Sequence, residues 1–142
     1  CVVNTENPIV QNWNLQSYLA HKHVWVSKTG MGVGVGMTPD DVQRLGWVDE
    51  ALSKLEVNRE IAVFTRHYQA ALMLGEQQHL IVTIPTMATR SIADNSTVTI
   101  LAPPCEIPRR RLRMVWSPLL QHDPGHRWMR QTIKSVSEQI LL

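Results

Sequence analysis

REIAVFTRHYQAALMLGEQQHLIVTIP, residues 59–85, is the stretch that decides the fold. Ile61, Val63 and Phe64 mark a first strand, and residues 80–84 form a second that is almost unbroken in apolar character. Between them lies a short helix carrying Ala71, Leu72 and Leu74, with Gly75 placed to terminate it. A continuous apolar strand is what a sheet covered by helices on both faces requires. Pro85 cannot continue a ladder. The unit sets a polar, partly cationic run, Thr65-Arg66-His67, where a strand hands over to a helix. Open α/β sheets bind small molecules at junctions of that kind.

Working outward, the alternation of strands and helices continues. Cys1, Val2 and Val3 read as the end of a strand, and residues 4–14 as a polar loop around Pro8. Residues 23–27 read as a short strand with Val24 and Val26 on one face. Residues 30–36 place glycine at every second position, which suits a loop. No Lys-Ser or Lys-Thr comes after it, so a phosphate-cradling loop is not indicated. Thr38-Pro39-Asp40-Asp41 has the cap, proline and acids of a helix start, and Gly46 interrupts that helix. Val48, Leu52 and Leu55 then recur at helical spacing and should face a core. Residues 86–94 suggest a short helix and residues 98–101 a further strand. Beyond Pro103, Pro104 and Pro108, a strand over residues 111–116 would bury Leu112, Met114 and Trp116 and leave Arg111 and Arg113 solvated. Asp123-Pro124 opens a last helix with an apolar stripe of Met129, Ile133, Val136 and Ile140. There is no internal repeat.

Composition bounds the function. Of 142 residues, 44% are hydrophobic and 18% charged, which describes a globular core. A net charge of +2 argues against a surface built to wrap nucleic acid. The one basic cluster, Arg109, Arg110, Arg111 and Arg113, is explained by the solvated side of a strand. No apolar run approaches the roughly 20 residues needed to cross a bilayer, and no secretory leader is visible. The two cysteines, Cys1 and Cys105, read as reduced thiols, which points to the cytoplasm. Opening on a cysteine in strand-like sequence, the chain looks like the back part of something larger.

Four stretches carry a family resemblance. Asn7-Pro8-Ile9, then Tyr18 and His23-Val24, look like an entry into a second lobe. Val48-Asp49-x-x-Leu52 followed by Arg59-x-Ile61 resembles a helix-to-strand step. Leu80-Ile81-Val82-Thr83-Ile84-Pro85 is similar to a characteristic strand, with His79 where an acid is common. Trp116 and Asp123-Pro124-x-His126-x-Trp128-x-Arg130 look like a closing strand and helix. Together they resemble the effector-binding domain of LysR-type transcriptional regulators, over nearly the whole chain. The resemblance implies an α/β fold like the type II periplasmic binding proteins: a complete second lobe at residues 24–102, the end of lobe one and hinge entry at 1–23, and the return part of lobe one at 103–142. It implies that DNA is bound only through a winged helix-turn-helix absent from this chain. It also implies a homo-oligomer, no membrane partner and no cofactor.

The candidate effector-binding residues are Phe64, Thr65, Arg66 and His67, with Ser27 and Lys28 after the preceding strand. Arg66 could pair with a carboxylate in forked geometry, and in the resembled family this stretch lines the interlobe cleft. The plainer reading is a solvated turn with Thr65 as a cap. His122 and His126, four apart, lack the glutamate of a zinc signature and suit surface or capping roles. His21 and His23 form a similar pair with no third ligand. The expected function is sensing of a small anionic effector. The alternatives are a solute-binding protein of the same architecture and a small α/β enzyme, which would need Cys105 beside a histidine.

Overall fold

The computed structural model describes residues 1–26, 46–92, 94–108 and 113–140. Five strands form an open mixed sheet: β1 (Val2–Asn4), β2 (Lys22–Val26), β3 (Glu60–Thr65), β4 (Leu80–Val82) and β5 (Val98–Ile100), in the order β3-β2-β4-β1-β5. Strand β2 runs parallel to β3 and β4, whereas β1 runs antiparallel to β4 and β5. The helices are α1 (Leu15–Ala20), α2 (Trp47–Ser53), α3 (Tyr68–Leu74) and α4 (Pro124–Ile140), with 3-10 turns at Pro8–Asn12, Thr86–Ile92 and Pro118–Leu120.

Side chains alternate across a strand, so each strand feeds two cores. One face gathers Val2, Val24, Leu80, Val82 and Val98 under Ala71 and Leu72 of α3. The other gathers Val3 and Ile81 under Ile9, Tyr18, Val48 and Leu52. Burying each Val, Leu or Ile contributes about 1.5–3 kcal/mol, so both cores hold the sheet. Helix ends obey local chemistry. The Asn7 and Asn14 side chains accept from the N–H groups of Ile9 and Ser17 at 2.9 Å. Gly46 has φ +99°, a left-handed value that glycine adopts without strain, and α2 starts immediately after it.

The chain divides into two compact units, Cys1–Pro108 and Arg109–Leu142. Residues 1–23, which the resemblance places at the end of lobe one, supply β1 and α1 to the same sheet and core as β2–β5. In the second unit, α4 begins as expected: the His126 N–H donates to Asp123 Oδ1 at 2.7 Å. The Arg130 guanidinium lies 4.7 Å from the Trp116 ring and donates to the Leu120 and Gln121 carbonyls at 3.1 Å.

Two expectations are corrected. Residues 113–117 form no strand, and Met114 and Trp116 are exposed, because no neighbouring strand pairs with them among the described residues. Leu55 is half exposed: α2 ends at Ser53, so the helical spacing that would carry Leu55 inward has already stopped. The glycine-rich run 30–36, the helix start at Thr38 and Arg109 to Leu112 lie outside the described residues.

Candidate functional site

Among the described residues strand β3 is an edge strand, and its last residue, Thr65, pairs in register with Val26, the last residue of β2. Two parallel strands therefore end side by side, and the chain leaving β3 turns into α3. The turn is closed locally: Thr65 Oγ1 accepts the His67 N–H at 3.2 Å. His67 occupies the cap position of α3 but makes no side-chain cap bond. Helix α3 has seven residues, about two turns, so its dipole contributes little here.

Phe64, Thr65, Arg66 and His67 line an open concavity of about 190 Å³. Arg66 and His67 are exposed. The Arg66 guanidinium has no carboxylate or hydrogen-bond partner among the described residues. Phe64 is 43% exposed, and its ring meets the buried Trp25 edge to face, centroids 5.5 Å apart. The structure thus brings together four of the six candidate residues. Ser27 and Lys28 lie outside the described residues.

A second polar group was not anticipated. It lies in the core under α1 and α2. Arg59 donates through Nε to Asp49 Oδ1 at 2.8 Å and through Nη2 to Asp49 Oδ2 at 2.7 Å, with both side chains buried. Burial disfavours the Arg59 charge, but the Asp49 bonds and nearby Tyr18 more than offset this and raise its pKa. Tyr18 OH and Thr83 Oγ1 share a hydrogen bond of 2.8 Å, and Cys1 Sγ lies 3.3 Å from the same Thr83 oxygen. Burial pushes the Tyr18 phenol up, partly opposed by Arg59 and by the Thr83 bond. His23 is fully buried, with Nε2 2.8 Å from the Tyr18 carbonyl. A carbonyl only accepts, so Nε2 carries the proton and Nδ1 is an acceptor. Burial, with Arg59 nearby, pulls the His23 pKa down to about 3.

This core group ties α1, α2, β2, β3 and β4 together; it does not open to solvent. Its signal was present in Asp49, which sits beside Val48 on the inward side of α2. An acid flanked by core residues needs a buried cation.

The histidine pairs separate into structural roles. His21 Nδ1 lies 2.8 Å from the Ser17 carbonyl at the end of α1, while His23 points into the core. Among the described residues, no three His, Cys, Asp or Glu side chains gather as a metal site. No hydrogen bond of the described residues joins Cys105 to a histidine. Burial pushes the Cys105 thiol up, with Arg59 pulling the other way. Among the described residues, no helix is long and apolar enough to cross a membrane.

No family model matches the chain. It is 19% identical over 139 residues to the HTH-type transcriptional regulator SyrM of Rhizobium etli, covering 97% of this chain and 38% of that protein. It is 25% identical over 136 residues to the HTH-type transcriptional regulator LinR of Sphingobium indicum, covering 96% and 42%. The chain thus spans about two-fifths of the length of these relatives. Two solved structures share the fold. One, described as a transcriptional regulator from Vibrio parahaemolyticus, superposes with a TM-score of 0.75 at 19% identity, over 99% of this chain and 61% of that one. The other, the regulatory domain of the transcriptional activator MexT from Pseudomonas aeruginosa, gives 0.66 at 21% identity, over 93% and 57%.

Proposed function

We propose that this chain is the ligand-sensing part of a LysR-type bacterial transcriptional regulator. It binds a small anionic effector in a cleft between two lobes and so modulates a DNA-bound oligomer. The observation that carries the reading is Arg66: an exposed guanidinium beside a concavity at the paired ends of β2 and β3, with no partner of its own among the described residues. A carboxylate would supply that partner through forked hydrogen bonds. His67, Thr65 and Phe64 complete the wall, and Ser27 and Lys28 belong to the same proposal from their place in the sequence.

Further support comes from topology and relatives. The sheet is parallel except for β1, which the chain enters first and which sits between β4 and β5. That order suits a lobe entered and left through a hinge, as in the type II binding-protein architecture. The lobe bounds belong to the same proposal: a second lobe at residues 24–102, reached from the end of lobe one and hinge entry at 1–23 and followed by the return part of lobe one at 103–142. The relatives are named as HTH-type transcriptional regulators, which supplies the regulatory context. No specific observation favours a solute-binding protein, and the setting of Cys105 does not favour an enzyme.

A thermal-melting screen of small anions tests the reading. A ligand at a hundred times its Kd stabilises by about 2.7 kcal/mol. A carboxylate should raise the melting temperature of the wild-type chain, and Arg66→Ala should remove that shift while the unliganded melting point holds. A shift that survives Arg66→Ala takes Arg66 out of the site.

A further inference from the structure

We propose that the effector bears a flat apolar ring that packs on Phe64 while its carboxylate pairs with Arg66. The proposal rests on the effector-sensing reading of this site and names the chemical class of the ligand.

Phe64 is the only phenylalanine in the chain. It lies next to the end of an edge strand, 43% exposed, on the wall of the same concavity as Arg66. An exposed aromatic ring forgoes the stabilisation that burial would give it. This ring is nonetheless held. Trp25, 4% exposed and paired with Phe64 in the β2–β3 register, meets it edge to face at 5.5 Å, with planes at 63°. A ring that packs edge to face on a buried indole and is still 43% exposed offers the remainder of its surface to a ligand. Binding there does not have to order a loose side chain.

Phe64 lies in β3 and Arg66 in the bend that follows Thr65, and both line the same concavity. The concavity, about 190 Å³, has room for a single ring beside the guanidinium. A short aliphatic acid would satisfy Arg66 and leave Phe64 uncovered. A neutral aromatic would cover Phe64 and leave Arg66 without a counter-charge. Only a ligand carrying both features answers both side chains.

Because there is one phenylalanine, phenylalanine-selective isotope labelling of the 142-residue chain yields the NMR signals of one ring. Benzoate, acetate and benzamide are titrated separately, with Arg66 side-chain signals tracked alongside. Benzoate should move both sets of signals saturably. It should bind at least tenfold more tightly than acetate and than benzamide. Phe64→Leu, which keeps apolar volume but not a flat face, should weaken benzoate at least fivefold and leave acetate unchanged. Equal affinity for benzoate and acetate, both lost in Arg66→Ala, would overturn the ring while leaving the anion site standing. Saturable benzoate binding with Phe64 unmoved would overturn it as well. Failure of both anions to bind would remove the anion site and the ring together.

Discussion

The Arg59 guanidinium and the Asp49 carboxylate form two parallel hydrogen bonds, 2.8 and 2.7 Å long, in a core from which solvent is excluded. Their side chains are 2% and 6% exposed. The bond joins the first turn of α2 to the residue preceding β3, ten positions along the chain. It fastens the helix to the sheet at the end of β3 opposite Phe64 and Arg66.

Removing one partner leaves the other as an uncompensated buried charge, which costs about 3–5 kcal/mol. Asp49→Ala should lower unfolding stability by that order in urea titrations. The double variant Asp49→Leu with Arg59→Met should lose less than Asp49→Ala alone, because neither charge is then stranded. A double variant weaker than either single one would mean that the pair does more than balance its own charges.

His23 gives the fold an acid limit. Its folded-state pKa is about 3, against an ordinary 6.5, because burial and Arg59 oppose its charge. Below 6.5 the unfolded chain takes up a proton that the folded chain refuses until about pH 3. Stability from this group is therefore complete above pH 6.5 and declines as pH falls towards 3, by on the order of a few kcal/mol. Denaturant midpoints measured between about pH 7 and 4 should fall in wild type. The slope should flatten in His23→Gln, whose amide can still donate to the Tyr18 carbonyl. An unchanged slope would show that His23 is not the titrating group.

Gly75 ends α3 for a reason other than backbone freedom. Its φ is −65°, which any residue can adopt. A Cβ there would meet the Leu72 carbonyl oxygen and Val2 Cγ1 at 3.1 Å and Val82 Cγ2 at 3.3 Å. Gly75→Ala should therefore destabilise by about 1–3 kcal/mol, as overpacking does, despite alanine's better helix propensity. Higher thermal stability in this variant would contradict the close packing of α3 on the sheet.

The stripe Met129, Ile133, Val136 and Ile140 on α4 is exposed by 41–47% along its length. An amphipathic helix with an open apolar face favours association. Sedimentation over a range of concentrations should show a dimer that Ile133→Asp abolishes while Cys1–Pro108 stays folded. A wild-type chain that remains monomeric at high concentration would place the helix outside any self-association.

Much of this molecule could be read from local pattern, because local pattern is set by short-range physics. Two-residue alternation and an unbroken apolar run located β2, β3 and β4. Asp123 and Pro124 marked the start of α4, since caps act within a few bonds; Gly75 marked the end of α3 by position, but its close contacts with Val2 and Val82 come from far along the chain. Phe64, Thr65, Arg66 and His67 stood out as a strand-to-helix junction for the same reason. Other features depended on residues far apart in the chain. Nothing near Cys1 and Val2 indicates that β1 inserts between β4 and β5. Residues 111–116 alternate like a strand, but alternation stabilises a strand only when a neighbour supplies the ladder, and among the described residues 113–116 have none. The Asp49–Arg59 bond and the neutral, tautomer-fixed His23 arise only when α1, α2 and the sheet close around them. Burial then converts ordinary polar side chains into a paired charge and a proton-refusing imidazole.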